Sequence, residues 1–303
     1  MERHTQIPSE SRFLIQKMSL SNVRLSNKSG RSICRTTARL SSHARLRVEA
    51  SALVEPGSLV LVAGATGGVG QLVTAKLIER GYNVRALSRG SKGGMFGSVP
   101  NLEVVKADFR TEATIPSGLM DGVDAVCCCT GTTAFPSSRW QGDNGPRETD
   151  LIATSNLIKK TPQNVKRFIY VTSAGVERQT QLPWVILNAF GVLKYKRESE
   201  ILLEGSGLNY TIFRPGRLTD GPYTSYDLNT LLKATAGDRK AVEVALTDRF
   251  SSETSRISVA EAVVQSLLIE STVGKKIAMG NVQGEGPGSD TQKWQAIFQA
   301  AKA

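Results

Sequence analysis

The segment LVLVAGATGGVGQLVTAKLIERG sets Gly64, Gly67 and Gly70 at three-residue spacing, between an apolar run from Leu59 and a helical pattern that Gly81 stops. The apolar run LVLVAG (59–64) reads as a strand covered on both faces, as in a parallel sheet. Gly68–Arg80 reads as the helix that follows. In such a strand–turn–helix unit the first glycine permits the tight turn. The second lets a pyrophosphate approach the backbone, and the third lets the helix pack on the sheet with its N-terminal amides aimed at the phosphates. A further strand at Asn83 completes the βαβ context that the glycine spacing needs. Gly64, Thr66, Gly67, Gly68, Val69 and Gly70 are therefore the expected phosphate-side residues of a dinucleotide site.

Downstream, β-type runs alternate with helical ones. NVRAL (83–87), LEVVK (102–106), DAVCCC (124–129), RFIYVTS (167–173) and NYTIFR (209–214) read as strands, with helices at Arg147–Lys160 and Lys194–Glu204. That alternation predicts an α/β, Rossmann-like doubly wound parallel sheet built from right-handed crossovers. Past Gly216 the pattern loosens into a small substrate-side C-terminal subregion. Helices are expected at Asp227–Thr235, Val259–Ile269 and Thr291–Ala301, and a flexible loop at GNVQGEGPGSD (280–290). No internal repeat or second core appears, so 51–303 reads as a single domain.

The net charge of +11 divides unevenly. Residues 1–50 hold ten Lys/Arg against three acids, while the remaining residues hold 28 against 24. The basicity thus belongs to the leader, and it gives no reason to expect nucleic-acid binding by the domain. Nine serines, eight arginines and few acids match a disordered organelle transit peptide, with Val48-Glu49-Ala50 resembling a plastid processing site. The expected location is the chloroplast, in the stroma or at the thylakoid surface. A tail without an address would have a similar composition. No run approaches the ~18–20 apolar residues of a membrane span, so any membrane association would be peripheral.

Both histidines, His4 and His43, lie in that leader. Histidine general bases and His-ligated metals are thereby excluded from the domain, and no metal is expected. Cys127, Cys128 and Cys129 are consecutive, so on a strand they point to alternate faces and cannot converge on one ion. They read as small apolar fillers.

The end of the second strand meets the adenosine ribose, where a site selective for NAD wants a carboxylate. VRALSRGSKGG instead offers Ser88, Arg89 and Lys92, with no acid between Arg80 and Glu103. A hydroxyl and two cations suit a 2′-phosphate, which predicts NADP(H) in preference to NAD(H); the alternative is a solvated basic loop. Asp108 and Phe109 could hold the adenine edge. Thr130 and Gly131 could admit the nicotinamide ribose.

These residues resemble the atypical short-chain dehydrogenase/reductase superfamily, and within it the NmrA-like NAD(P)-binding proteins of plastids, of the TIC 62 Rossmann type. The resemblance rests on GATGGVG, ADF (107–109), RFIYVTSAGV (167–176) and YKRESEILLEGSGLNYTIFRPGRLTDGP (195–222). It implies that Lys196 holds the nicotinamide ribose or acts as an acid, that Ser173 stands at the serine position, and that Pro215, Gly216 and Arg217 lie by the nicotinamide. Lys196 as a plain solvated helix lysine is the remaining reading. The usual tyrosine, four residues before the lysine, is replaced by Val192, which cannot relay a proton.

Two functions follow from this reading. One is a plastid NADPH oxidoreductase passing hydride to a flavin-like, quinone-like or small carbonyl acceptor. The other is a non-enzymatic NADPH-responsive redox sensor or scaffold for a plastid protein complex. A pocket near Thr132–Trp140, Trp184 and Arg217 would favour the enzyme.

Overall fold

Leu59–Ala63 (β1) is apolar throughout because helices cover both faces of the sheet it centres. In the computed structural model, residues 52–90, 96, 99–220, 240–249 and 252–302 are described. The leader, Lys92 and the helix expected at 227–235 lie outside them.

Five further strands, β2 (Asn83–Ser88), β3 (Leu102–Lys106), β4 (Val123–Cys128), β5 (Arg167–Val171) and β6 (Tyr210–Pro215), join β1 in the order β3-β2-β1-β4-β5-β6, all parallel. The order reverses between β1 and β4, and a doubly wound sheet opens its ligand crevice at that point, beyond the carboxyl ends of the strands.

Successive strand residues face opposite layers. Val60, Val62, Ala125 and Cys127 meet α1 (Gly70–Glu79) and the helix at Arg256–Ser266. Leu61, Ala63, Val126 and Cys128 meet α2 (Thr154–Lys160) and the α4 helix (Val192–Glu204), which follows the short α3 (Trp184–Leu187). Cys127 and Cys128 therefore fill opposite cores, as their adjacency implies. Burial pushes the Cys127 thiol up to about 12, so it stays protonated.

The C-terminal third departs from expectation. β7 (Arg217–Thr219) pairs with β9 (Glu253–Ser255) in a small parallel sheet. β8 (Lys240–Ala245) runs antiparallel to β10 (Lys275–Glu285), which itself continues the main sheet beside β6. The loop expected at 280–290 is thus corrected, since its first six residues are strand. Gly280 and Gly284 hid the β pattern, and the ladder comes from a partner some 35 residues upstream. The register slips between Val282 and Glu285, where Gly284 takes φ +129°. Helix α5 (Arg256–Ser266) and α6 (Thr291–Gln299) complete the layer, with Asp290 capping α6 by accepting from the Gln292 and Lys293 amides.

The helix expected at 147–160 opens with a π-helical stretch, Arg147–Ala153, before continuing as α2. Such stretches concentrate at functional sites. No helix among the described residues is long and apolar enough to cross a membrane.

Candidate dinucleotide site

The glycine turn leaves β1 as a close backbone knot. Gly64 takes φ +75°, and a Cβ there would stand 2.7 Å from the Cys129 carbonyl oxygen. The Gly67 amide donates back to the Gly64 carbonyl at 2.9 Å. A Cβ on Gly70 would meet that same oxygen at 2.1 Å. Among the described residues, a Cβ on Gly67 would contact only the Gly64 oxygen, at 3.1 Å, which leaves its outer side open to them. Thr66, Gly67 and Gly68 form the half-buried rim, while Val69 and Gly70 are buried where α1 begins. Of the first-turn amides of α1, Gln71 donates to the Gly67 carbonyl at 3.0 Å and Val73 to the Val69 carbonyl at 2.9 Å, and the turn holds no acid that would repel an anion.

At the end of β2, Ser88 is buried and its hydroxyl donates to the Gly90 carbonyl at 3.1 Å. Arg89 donates to Asn144 Oδ1. Arg110 grips both oxygens of Asp108, with Nη2 at 2.6 Å from Oδ2, and donates to the Gly142 and Asp143 carbonyls at 2.7 and 2.9 Å. Both guanidiniums thus converge on the 142–144 loop. Burial and the neighbouring Arg110 charge lower the Arg89 guanidinium, against the pull of Asp108. The hydrogen bond from Arg110 holds the Asp108 carboxyl below its usual range. Phe109 is buried, and its carbonyl accepts from Asn156 at 2.7 Å. Two cations packed side by side suit a doubly charged phosphate. Arg110 was not singled out by the sequence reading. Its only signal was a cation directly after the ADF motif.

Beyond β4, Lys196 reaches across from α4. Its ammonium donates to Asp150 Oδ1 at 2.7 Å, with the carboxylate side chain fully buried and the lysine 8% exposed. A Cβ on Gly131 would lie 3.1 Å from Lys196 Nζ and 3.4 Å from Asp150 Oδ1, so the pair sits directly under that strand end. Burial raises the Asp150 carboxyl, opposed by Lys196 and by the Thr132 amide. Asp150 belongs to the π-helical stretch, and sequence reasoning passed over it as one acid among several in a helix. The Thr130 hydroxyl lies 3.3 Å from the Thr154 hydroxyl. Ser173 donates to the Ala174 carbonyl at 3.0 Å.

Glu200, one turn after Lys196, serves a different group. It accepts from Arg214 Nε at 3.0 Å and Nη2 at 2.6 Å, and from Thr172 Oγ1 at 2.7 Å. Burial opposes the charge on Arg214, yet Glu200 and Glu177 hold its guanidinium above the ordinary value. This network ties α4 to β6, whose end carries Pro215 and Gly216. Both are buried, and the Gly216 amide donates to Thr254 Oγ1 at 2.9 Å. Arg217 points outward, 82% exposed, and pairs with Glu253.

Val192 is buried with Ala174, Val176, Trp184 and Leu193 in a small apolar cluster. Tyr195 lies back against Gly191, with Lys194 Nζ 5.6 Å from its ring centroid. Neither supplies a phenol beside Lys196. The loops after β4 and β5 instead present aromatic rings. Phe190 meets Phe135 and Trp140 edge-on at 6.3 and 5.5 Å, and both phenylalanines are nearly half exposed.

Known proteins resemble this chain in sequence and in fold. A family described as NAD(P)H-binding matches residues 64–269. The chain is 33% identical over 264 residues to the chloroplastic protein TIC 62 of Arabidopsis thaliana, covering 76% of this chain and 40% of that protein. Across the TIC 62 relatives it matches, it spans 32–53% of their length. It is 31% identical to the chloroplastic At2g34460 protein of Arabidopsis thaliana, covering 68% of this chain and 77% of that one. Sanguinarine reductase of Eschscholzia californica is 29% identical, with 79% and 94% covered. Among solved structures, the oxidoreductase ylbE of Lactococcus lactis shares the fold at a TM-score of 0.60 and 19% identity, covering 80% of this chain and 97% of that one. The kinship with chloroplastic proteins supports a chloroplast location. Over residues 64–269, from its glycine turn to just past α5, the chain belongs to the NAD(P)H-binding family.

Proposed function

We propose that the protein is an NADPH-dependent chloroplast reductase that transfers hydride without a tyrosine relay, its leader (1–50) being a transit peptide and 51–303 the working domain. The observation that carries this reading is Lys196. Its ammonium, fixed by Asp150, lies against the Gly131 strand end, where a nicotinamide ribose would rest. A nicotinamide bound there supplies a hydride at C4.

The chain's own residues divide the remaining tasks. Thr66, Gly67, Gly68 and the amides at the start of α1 would receive the pyrophosphate. Arg89, with Arg110 beside it, would take the 2′-phosphate, with Ser88 shaping the turn that carries Arg89. Lys196 would orient the ribose. Asp150 holds Lys196 in place through their buried 2.7 Å ion pair. With Val192 in the core, no phenol stands at the usual relay position four residues before Lys196. General-acid help is worth about 10²–10⁴-fold, so ordinary small carbonyls should turn over slowly. The half-exposed rings of Phe135 and Phe190 favour a flat apolar acceptor, flavin-like or quinone-like, that can stack or slide edge-on.

A second reading keeps the cofactor and drops the reaction. NADPH occupancy would set a conformation read by a plastid protein partner. It draws on the exposed apolar side chains of Leu182, Val185 and Ile186 next to the aromatic loop.

Titration with NADPH and NADH, followed by oxidation assays against flavin, quinone and aldehyde acceptors, separates the readings. Arg89→Ala should lose about 1–3 kcal/mol of NADPH affinity, the scale of a charge-assisted contact, and leave NADH unchanged. Equal losses for both nucleotides would remove Arg89 from the 2′-phosphate. Lys196→Met should weaken NADPH binding and turnover together. Retained affinity with turnover cut roughly 100-fold or more would instead make Lys196 the acid.

A further inference from the structure

The helix beside α1 brings a cation over the glycine turn. A Cβ on Gly68 would lie 3.0 Å from Arg256 Nε and 3.2 Å from its Cδ, so this side chain covers the rim of the turn. Arg256 is the first residue of α5, 188 residues after Gly68 and outside every segment by which the motif was recognised.

Its placement is fixed from both ends. One Nη donates to the Thr219 carbonyl, and the Arg256 side chain pairs with Asp220 at 3.9 Å. Farther along α5, buried Glu261 accepts from Lys76 Nζ at 2.6 Å and from Arg80, both on the C-terminal half of α1 or just past it. The two helices therefore run side by side with their N-termini at the same level. Asp220 already occupies the α5 end, accepting from the Arg256 amide at 2.7 Å. The anion-facing element contributed by α5 is thus a side chain and not its helix terminus.

Charge balance gives the reason for a cation here. A pyrophosphate brings two negative charges, whereas a helix N-terminus offers roughly half a positive one. The first cation along α1 is Lys76, which is committed to Glu261. A guanidinium at the rim supplies an integral charge in a planar, two-toothed form suited to phosphate oxygens.

We propose that Arg256 is a cofactor-binding residue that clasps the dinucleotide pyrophosphate from α5 against the glycine turn. The proposal rests on the reading of the turn as a dinucleotide site. The pyrophosphate is common to NADPH and NADH, so the consequence differs from that of Arg89.

The test titrates the full chain and its Arg256→Gln and Arg256→Lys variants with both nucleotides at low and high salt. Glutamine can still donate to the Thr219 carbonyl but carries no charge, while lysine restores the charge. Arg256→Gln should weaken NADPH and NADH alike by roughly 10- to 100-fold, with the gap narrowing as salt rises. Arg256→Lys should recover most of that loss. Wild-type affinity in the glutamine variant would overturn the proposal, as would a loss confined to NADPH. Recovery by glutamine and not by lysine would assign Arg256 a structural role and also overturn it. If the glutamine variant does not fold, the lysine variant decides, since binding within a few-fold of wild type is required of it. A wild-type chain that binds neither nucleotide would instead overturn the dinucleotide reading itself.

Discussion

Gly67→Val is expected to weaken NADPH binding roughly 100-fold or more, about 2.7 kcal/mol at the least, while the domain remains folded. Among the described residues, a Cβ on Gly67 meets only the Gly64 carbonyl oxygen, at 3.1 Å, and the backbone there does not require a positive φ. A shift of a few tenths of an ångström accommodates it. The two added methyls then stand on the open side of the turn, where the pyrophosphate must approach the backbone. Gly70 provides the contrast. Its Cβ would lie 2.1 Å from the Gly64 oxygen and 2.7 Å from the Gly64 carbonyl carbon, both backbone atoms that cannot move aside. Gly70→Val should therefore lose the fold as well as the cofactor. Calorimetric titration with thermal unfolding of both variants checks the pair. Normal NADPH binding by the folded Gly67 variant would place the phosphates elsewhere.

The Glu200→Ala substitution should cost about 3–5 kcal/mol of stability, the range for removing one partner of a buried ion pair. Arg214 is 1% exposed and Glu200 fully buried. Without Glu200, the Arg214 guanidinium retains Glu177, 37% exposed, as its remaining carboxylate. The Thr172 hydroxyl loses its 2.7 Å acceptor, and Arg197 keeps only Glu204. Because this network holds α4 against β6, the loss should also loosen Lys196 relative to Pro215-Gly216 and weaken cofactor binding in parallel. Urea unfolding at constant m-value measures it. A cost under about 1 kcal/mol would show that the site takes up water and solvates Arg214, and that the network does not hold the two elements together.

The parts of this protein legible in the sequence are those whose own composition is set by burial on both faces or by one local turn. A buried parallel strand must be apolar on both faces, so β1, β2, β4, β5 and β6 announce themselves as short apolar runs, and the glycine spacing follows from one turn's geometry. The doubly wound parallel sheet follows from that alternation, and the structure adds its six-strand order and the reversal between β1 and β4. The C-terminal strands β7 to β10 were not legible, because they are short or only partly buried and their sequences are broken by glycine and charge.

The same division runs through the site. Lys196 could be located from its motif, but its counterion could not, since Asp150 lies 46 residues upstream on another helix and meets it only when α4 packs against the π-helical stretch. Arg110 beside Arg89, and Arg256 over Gly68, are likewise meetings between distant segments. The sequence by itself determined the fold and the glycine turn, because strand burial and glycine conformation are local properties of the chain. Only the tertiary structure decided which charges face one another, because a buried charge is placed by whatever packs against it.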